Sequence, residues 1–165
     1  MSFETAFEAM IRREGGYVLH KVEGDTGGQT YAGIARVPNP QWPGWAYIDR
    51  SEIPPTQLVR DFYRASYWVP IAGDQLPEPI AATVFDFAVN AGTRVAIKLA
   101  QLVAGSTPDG SMGAKSIEAI ARLNPDTFQV AYALAKLKRY ADICNKDRVQ
   151  SKFLLGWVNR LLGQA

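Results

Sequence analysis

The chain has 165 residues, 47% of them hydrophobic and 21% charged, with a formal net charge of +2 at pH 7. That length supports a domain with a real core, and the balance excludes a disordered or low-complexity chain. One cysteine rules out an internal disulfide, and one histidine argues against a zinc centre built on paired histidines, so no metal or cofactor is expected.

In chain order, Phe3, Ala6, Phe7, Met10 and Ile11 recur at i, i+3, i+4, i+7 and i+8. That spacing predicts a first amphipathic helix running to about Arg13, with Ser2 as its N-cap. Glu14 follows on the last turn, and Gly15-Gly16 fits a helix C-terminus, where positive φ is common. Residues 17 to 36 read as a small β-hairpin with loops, turning near Glu23-Gly24-Asp25 and Gly27-Gly28. Residues 37 to 50 hold Pro38, Pro40, Pro43 and Gly44, too broken for regular structure. Trp42 and Tyr47 in that loop serve either as stacking faces for a flat apolar ligand surface or as anchors to the core, whereas Trp45 reads as an anchor.

Pro54-Pro55 opens a second helix over about 55 to 68, ended by Pro70, with Tyr67 and Trp68 as core or cleft wall. Pro79 begins a third helix that is apolar almost all round, as a buried central helix is. Asp86 and Asn90 lie four apart on one of its faces, Asp86 reading as a structural partner and Asn90 as structural or ligand-facing. A further helix covers about 94 to 104, and Pro108-Asp109-Gly110 reads as a tight turn. A short helix over 114 to 123 breaks at Asn124-Pro125. Asp126 then caps a long helix to about Cys144, whose apolar set includes Phe128, Ala131, Leu134, Leu137 and Tyr140. Two short helices, about 149 to 155 and 157 to 162, finish the chain.

Glu14, Asp25 and Thr30 are the residues in this frame that carry chemistry. A carboxyl beside an apolar helix face is placed for a raised pKa and for proton donation, while a second carboxylate stabilises a developing cation or activates water. A threonine hydroxyl can hold that water. Such a set suits acid-assisted cleavage of a glycosidic bond, where the separation of the two carboxyls decides whether configuration is retained or inverted. Cys144 and His20 offer a formal thiol–imidazole pair, but Cys144 reads as a buried structural residue of the long helix and His20 as solvated. Between Lys136 and Arg160 seven Lys and Arg stand against two Asp. That basic stretch is either a solvated helix face or a surface for an anionic polymer. No helix-turn-helix or RNA-binding signature accompanies it, so no nucleic-acid partner is expected.

The ordered motifs Glu14-Gly-Gly-Tyr17, Asp25-x-Gly-Gly-x-Thr30-x-x-Gly33-Ile34, Phe85-Asp-Phe-Ala-Val-Asn90-Ala-Gly92, Gln101-Leu, Asp109-Gly-Ser-Met-Gly113 and Gly156-Trp157-x-x-Arg160 span nearly the whole chain. Together they resemble glycoside hydrolase family 108, lysozyme-like muramidases of bacteria and phages, with the predicted peptidoglycan-binding region that follows in that family. The resemblance implies a mainly α, lysozyme-like single domain with a catalytic half over 1 to about 92 and a helical, peptidoglycan-binding-like half over about 93 to 165 packed on it. It implies an N-acetylmuramidase acting on bacterial peptidoglycan, with Glu14 as general acid. The Glu, Asp, Thr order is similar to the triad of phage lysozymes at a different spacing. Tyr17, Tyr31, Trp42, Tyr47 and Asn90 are the candidate substrate contacts.

No window reaches the roughly 18 to 20 apolar residues of a membrane span, so no stable membrane insertion is expected. Glu4, Glu8, Arg12 and Arg13 make the first helix neither a signal-peptide core nor an anchor. The expectation is a monomer made in the cytoplasm that acts on the wall after release, through a holin if the source is a phage. A wall-binding or lysis-accessory module without turnover is the alternative.

Overall fold

A computed structural model describes residues 3–21 and 28–163 of the chain. Ser2 and Asp25 therefore lie outside the described residues, as do the turn expected at 23–25 and Gly27. The fold is mainly helical, with a small three-stranded antiparallel sheet ordered β1-β2-β3. The chain divides into two compact units, Met1–Pro70 and Ile71–Ala165.

In the first unit, α1 (Phe3–Arg13) buries the expected stripe Phe3, Phe7, Met10 and Ile11. Burying each such side chain contributes about 2 kcal/mol. The helix ends in a paired turn: the Gly16 amide donates to the Ile11 carbonyl at 2.9 Å and the Gly15 amide to that of Arg12 at 3.4 Å. Gly15 sits at φ +88°, so Glu14 is the C-cap of a Schellman motif. Strands β1 (Leu19–Lys21), β2 (Gln29–Tyr31) and β3 (Ile34–Ala35) follow. A single hairpin was expected, and the third strand corrects that. Tyr31 pairs with Ile34 across a two-residue turn, with Ala32 at φ 49° and Gly33 at φ 79°. Positive φ at both central residues is the type I′ geometry that matches strand twist.

The Pro-rich loop is not wholly irregular, since α2 (Trp45–Ile48) forms one turn inside it. Its indoles find carbonyls: Trp42 Nε1 donates to Leu58 at 3.1 Å and Trp45 Nε1 to Asn39 at 2.7 Å. Helix α3 (Thr56–Tyr63) passes directly into a π-helical turn at Arg64–Trp68, together filling the expected span. It packs on α1 through the Phe7–Tyr63 ring pair, 5.9 Å between centroids. Arg60 adds ion pairs to Glu4 and Glu8 at 2.9 and 3.1 Å.

The second unit is built on α4 (Glu78–Ala91), the expected buried helix. Ile80, Ala81, Val84, Phe85, Phe87 and Ala88 are buried, and the helix packs on α5 (Thr93–Val103) and α7 (Pro125–Lys146). Tyr132 closes this core, its hydroxyl donating to the Ala96 carbonyl at 3.0 Å. Helix α6 (Ala114–Ala121) packs on α5. The N-cap of α7 is Asn124, not Asp126: its side chain accepts from the amides of Asp126 and Thr127 at 3.0 and 3.1 Å. The core face of α7 is Phe128, Tyr132, Tyr140 and Cys144, whereas Leu134 and Leu137 are exposed. A 3-10 turn (Arg148–Phe153) and α8 (Leu154–Leu161) end the described chain, held to α7 by Trp157 stacked on Tyr140 at 5.2 Å.

Candidate active site

Glu14 leaves α1 half-buried, and the turn between β2 and β3 comes up against it. A Cβ placed on Gly33 would lie 3.6 Å from both Cβ and Cγ of Glu14 and would collide with the Tyr63 hydroxyl. The absence of a side chain at position 33 is what lets carboxylate stem, turn and phenol share this space. The Tyr63 hydroxyl donates to the Ala32 carbonyl at 2.9 Å, tying the π-extended α3 to the same turn. Tyr67 stacks on Tyr63 with centroids 5.6 Å apart. Burial, then the negative charge of Glu14, holds both phenols above the ordinary tyrosine value, with Tyr67 adding to the effect on Tyr63. Two neutral phenols therefore face the electrostatic field of the Glu14 carboxyl, as fixed dipoles that do not ionise near neutral pH. A π-turn is a common local device where side chains must be aimed at a site.

Thr30 is central in β2, half-buried, paired with His20 on one side and Ala35 on the other. His20 is exposed on β1, and Cys144 is a buried residue of α7 in the second unit.

The five candidate contacts separate. Tyr17 is half-buried three residues after Glu14; burial first, then the charge of Glu8, raises its phenol. Tyr31 and Trp42 are 4% and 6% exposed and stack on each other at 5.9 Å, with Trp45 edge-on to Trp42 at 5.1 Å. The three rings form one packed aromatic cluster. Tyr47 is half-buried under the Arg50 guanidinium, 5.1 Å from its ring centroid. Asn90 is exposed near the end of α4, in the second unit. The same helix carries Asp86, whose charge helps to raise the Tyr132 and Tyr140 phenols, behind the larger effect of burial.

Sequence reasoning offered Tyr67 as core or cleft wall but missed Tyr63 as its partner beside Glu14, and missed the clamp that fixes the Pro-rich loop. Arg36 on the loop after β3 grips Asp49 with two bonds, 2.7 and 2.8 Å, reaches Gln29 at 2.8 Å and covers the Trp45 ring at 5.2 Å. A Tyr four residues after a Tyr on a helical pattern was the available signal for the first. Nothing local signalled the second, which joins residues 13 apart. Among the described residues of this unit, two cavities are lined in part by its aromatic cluster. One, of about 520 Å³, lies between the Pro-rich loop and α3, lined by Pro40, Trp42, Leu58, Asp61 and Phe62 among others. The other, of about 410 Å³, is lined by Leu19, Gln29, Tyr31, Ile48 and Ile53 among others. Glu14 and Thr30 line neither of these two.

The glycosyl hydrolase 108 family model matches residues 7–92, more than half of the chain. The chain belongs to glycosyl hydrolase family 108. In this family member a second model, a predicted peptidoglycan domain, matches residues 95–162. A solved structure of Brucella abortus SagA is similar at 27% identity and a TM-score of 0.73, covering 98% of this chain and 90% of that one. Among curated proteins none matches the chain. The family models meet at Gly92–Val95, whereas packing divides the chain at Pro70–Ile71. Helix α4 thus belongs to the glycosyl hydrolase match by sequence and to the second unit by its contacts.

Proposed function

We propose that this family 108 protein is an N-acetylmuramidase of bacterial peptidoglycan, cleaving the β-1,4 bond between N-acetylmuramic acid and N-acetylglucosamine. The observation that carries the reading is the setting of Glu14: a half-buried carboxyl at a helix C-cap, crowded by Gly33 and faced by two neutral phenols, inside the glycosyl hydrolase match. In this reading Glu14 protonates the leaving oxygen. Asp25, eleven residues on, stabilises the oxocarbenium-like centre or activates water, and Thr30 orients that water from β2. The phenols of Tyr63 and Tyr67 keep the carboxyl in place and limit water around it. Tyr17 and Tyr47 are the half-buried rings available to a glycan. Tyr31 and Trp42 serve that surface as its packed support.

The second match supports action on the cell wall, with residues 95–162 bringing the catalytic unit to the polymer. Among the described residues no helix is long and apolar enough to cross a membrane. The test is turbidity loss of purified cell walls. Wild type clears them, and Glu14→Gln leaves them intact while its circular dichroism matches wild type. Clearing at the wild-type rate by Glu14→Gln would remove Glu14 from the mechanism.

A further inference from the structure

The motif Asp109-Gly-Ser-Met-Gly113 has no role in the catalytic reading, yet its Asp109, Ser111 and Gly113 line part of a cavity of about 580 Å³ in the second unit. Ser106, Thr107, Asp109, Ser111, Lys115 and Ser116 line it. Its size falls within the usual range for small-ligand sites, but no large apolar side chain lines it.

One buried side chain organises the rim. Gln101 on α5 is fully buried and paired on both ends. Its Nε2 lies within bonding distance of Asp109 Oδ1 at 2.8 Å, Ser116 Oγ at 2.9 Å and the Ser111 carbonyl at 3.0 Å. Its Oε1 accepts from the Gly110 amide at 2.9 Å. The Ser111 amide donates to Asp109 Oδ1 at 2.8 Å. Gly110, at φ +82°, lets the loop lie on the stems of Arg94 and Lys98, where a Cβ would be 2.7 Å from Arg94 Cγ. A buried amide with its bonds satisfied by one loop and the helix that follows fixes that loop rigidly. Gln101, Asp109 Oδ1 and Gly110 are thus positioning groups.

The loop's own bonds to Gln101 and Ser111 fall on Asp109 Oδ1, with the Arg94 charge favouring the ionised carboxylate, and the exposed Lys115 ammonium forms no ion pair with a described residue. The cavity therefore offers a carboxylate oxygen, an ammonium and several hydroxyls. No aromatic ring lines it. Sugar faces are commonly met by aromatic rings, whereas a peptide with free ends is met by opposite charges and hydroxyls.

We propose that this cavity is a binding site for the peptide stem of peptidoglycan, Lys115 taking a free carboxylate and Asp109 a free side-chain ammonium, with Ser106, Thr107 and Ser111 bonding the amides between. The choice of peptidoglycan rests on the muramidase reading, but a stem peptide contains no glycosidic bond, so its binding is measured independently of turnover. The experiment is an amide NMR titration of the full chain with three probes. These are a synthetic stem tetrapeptide with free carboxylate and free diamino-acid ammonium, the same peptide amidated at its C-terminus, and chitotetraose.

The tetrapeptide is expected to shift the amides of residues 105–116. Its Kd should weaken about tenfold on amidation and again in Lys115→Glu. Lys146→Glu, an equal charge change on the basic C-terminal stretch, should leave that Kd unchanged. Both variants alter exposed residues, so folding is preserved. Absence of shifts in 105–116 overturns the proposal, as does equal affinity in Lys115→Glu. Shifts there with chitotetraose and not with the peptide would make the site a glycan site and overturn it equally. Peptidoglycan that stays uncleaved while the tetrapeptide binds as described would defeat the muramidase reading and leave this site standing.

Discussion

Replacing Gly33 by alanine tests whether the carboxylate, the turn and the phenol are held together as described. Two costs apply. At φ +79° an alanine is in the left-handed region, a penalty of about 1 kcal/mol or more. Its methyl would collide with the Tyr63 hydroxyl, which must give up its 2.9 Å bond to the Ala32 carbonyl. A buried bond of that kind contributes about 1 kcal/mol. Together the loss is about 2 to 3 kcal/mol, or roughly 5–10 °C in Tm for a chain of this size. Thermal unfolding by circular dichroism or calorimetry measures it, alongside Tyr63→Phe and the double variant. Once the hydroxyl is gone, the methyl introduced at position 33 has room. The double variant should therefore be more stable than the sum of the single losses predicts, by about 1 kcal/mol. Strict additivity, or a Gly33→Ala protein as stable as wild type, would refute the packing argument. Because the same methyl would sit 3.6 Å from the Glu14 stem, wall-clearing activity should fall in Gly33→Ala and return only in part with Tyr63→Phe.

Trp42→Ala should cost about 3–5 kcal/mol in urea unfolding, since it empties a buried site flanked by Tyr31 and Trp45 and strands the Leu58 carbonyl. A loss below about 1 kcal/mol would return Trp42 to the surface as a direct ligand contact. Asn124→Ala should cost about 1 kcal/mol, and Asp126→Ala distinctly less, because Asn124 supplies the cap bonds of α7. The reverse order in thermal melts would restore Asp126 as the cap. The Arg36 bonds hold the Asp49 carboxyl below its ordinary range. A depressed carboxyl stabilises the fold above its unfolded pKa of about 4 and loses that contribution as pH falls through the folded value. The Tm should therefore drop below about pH 4, less steeply in Asp49→Asn; an identical acid limb in the two proteins would show that the clamp does not contribute.

Much of the framework is written in local patterns. The stripe Phe3-Phe7-Met10-Ile11 and the glycines after Glu14 define α1 and its end, because helix periodicity and positive φ are local requirements. The all-round apolar character of α4 marks it as buried for the same reason. The β2–β3 turn was not legible, since Ala32 adopts positive φ although alanine gives no hint of it. Its conformation is imposed by the pairing of Tyr31 with Ile34 and by the Tyr63 bond. One turn of helix survives in the Pro-rich loop because Trp45, packed on Trp42 and covered by Arg36, secures it. On α7 the apolar residues Leu134 and Leu137 match helix period but lie away from the core, so periodicity alone could not choose the buried face. At the site, Glu14 and Thr30 are ordered by local structure. The tyrosines that surround Glu14 come from a helical segment far along the chain, over Thr56–Trp68, through packing no local window contains.

The most direct test of the central claim is mass spectrometry of fragments released from purified peptidoglycan, with Glu14→Gln digested in parallel. The account predicts fragments ending in reducing N-acetylmuramic acid from wild type and none from the variant. Fragments ending in reducing N-acetylglucosamine, or an unchanged fragment set from Glu14→Gln, would contradict it.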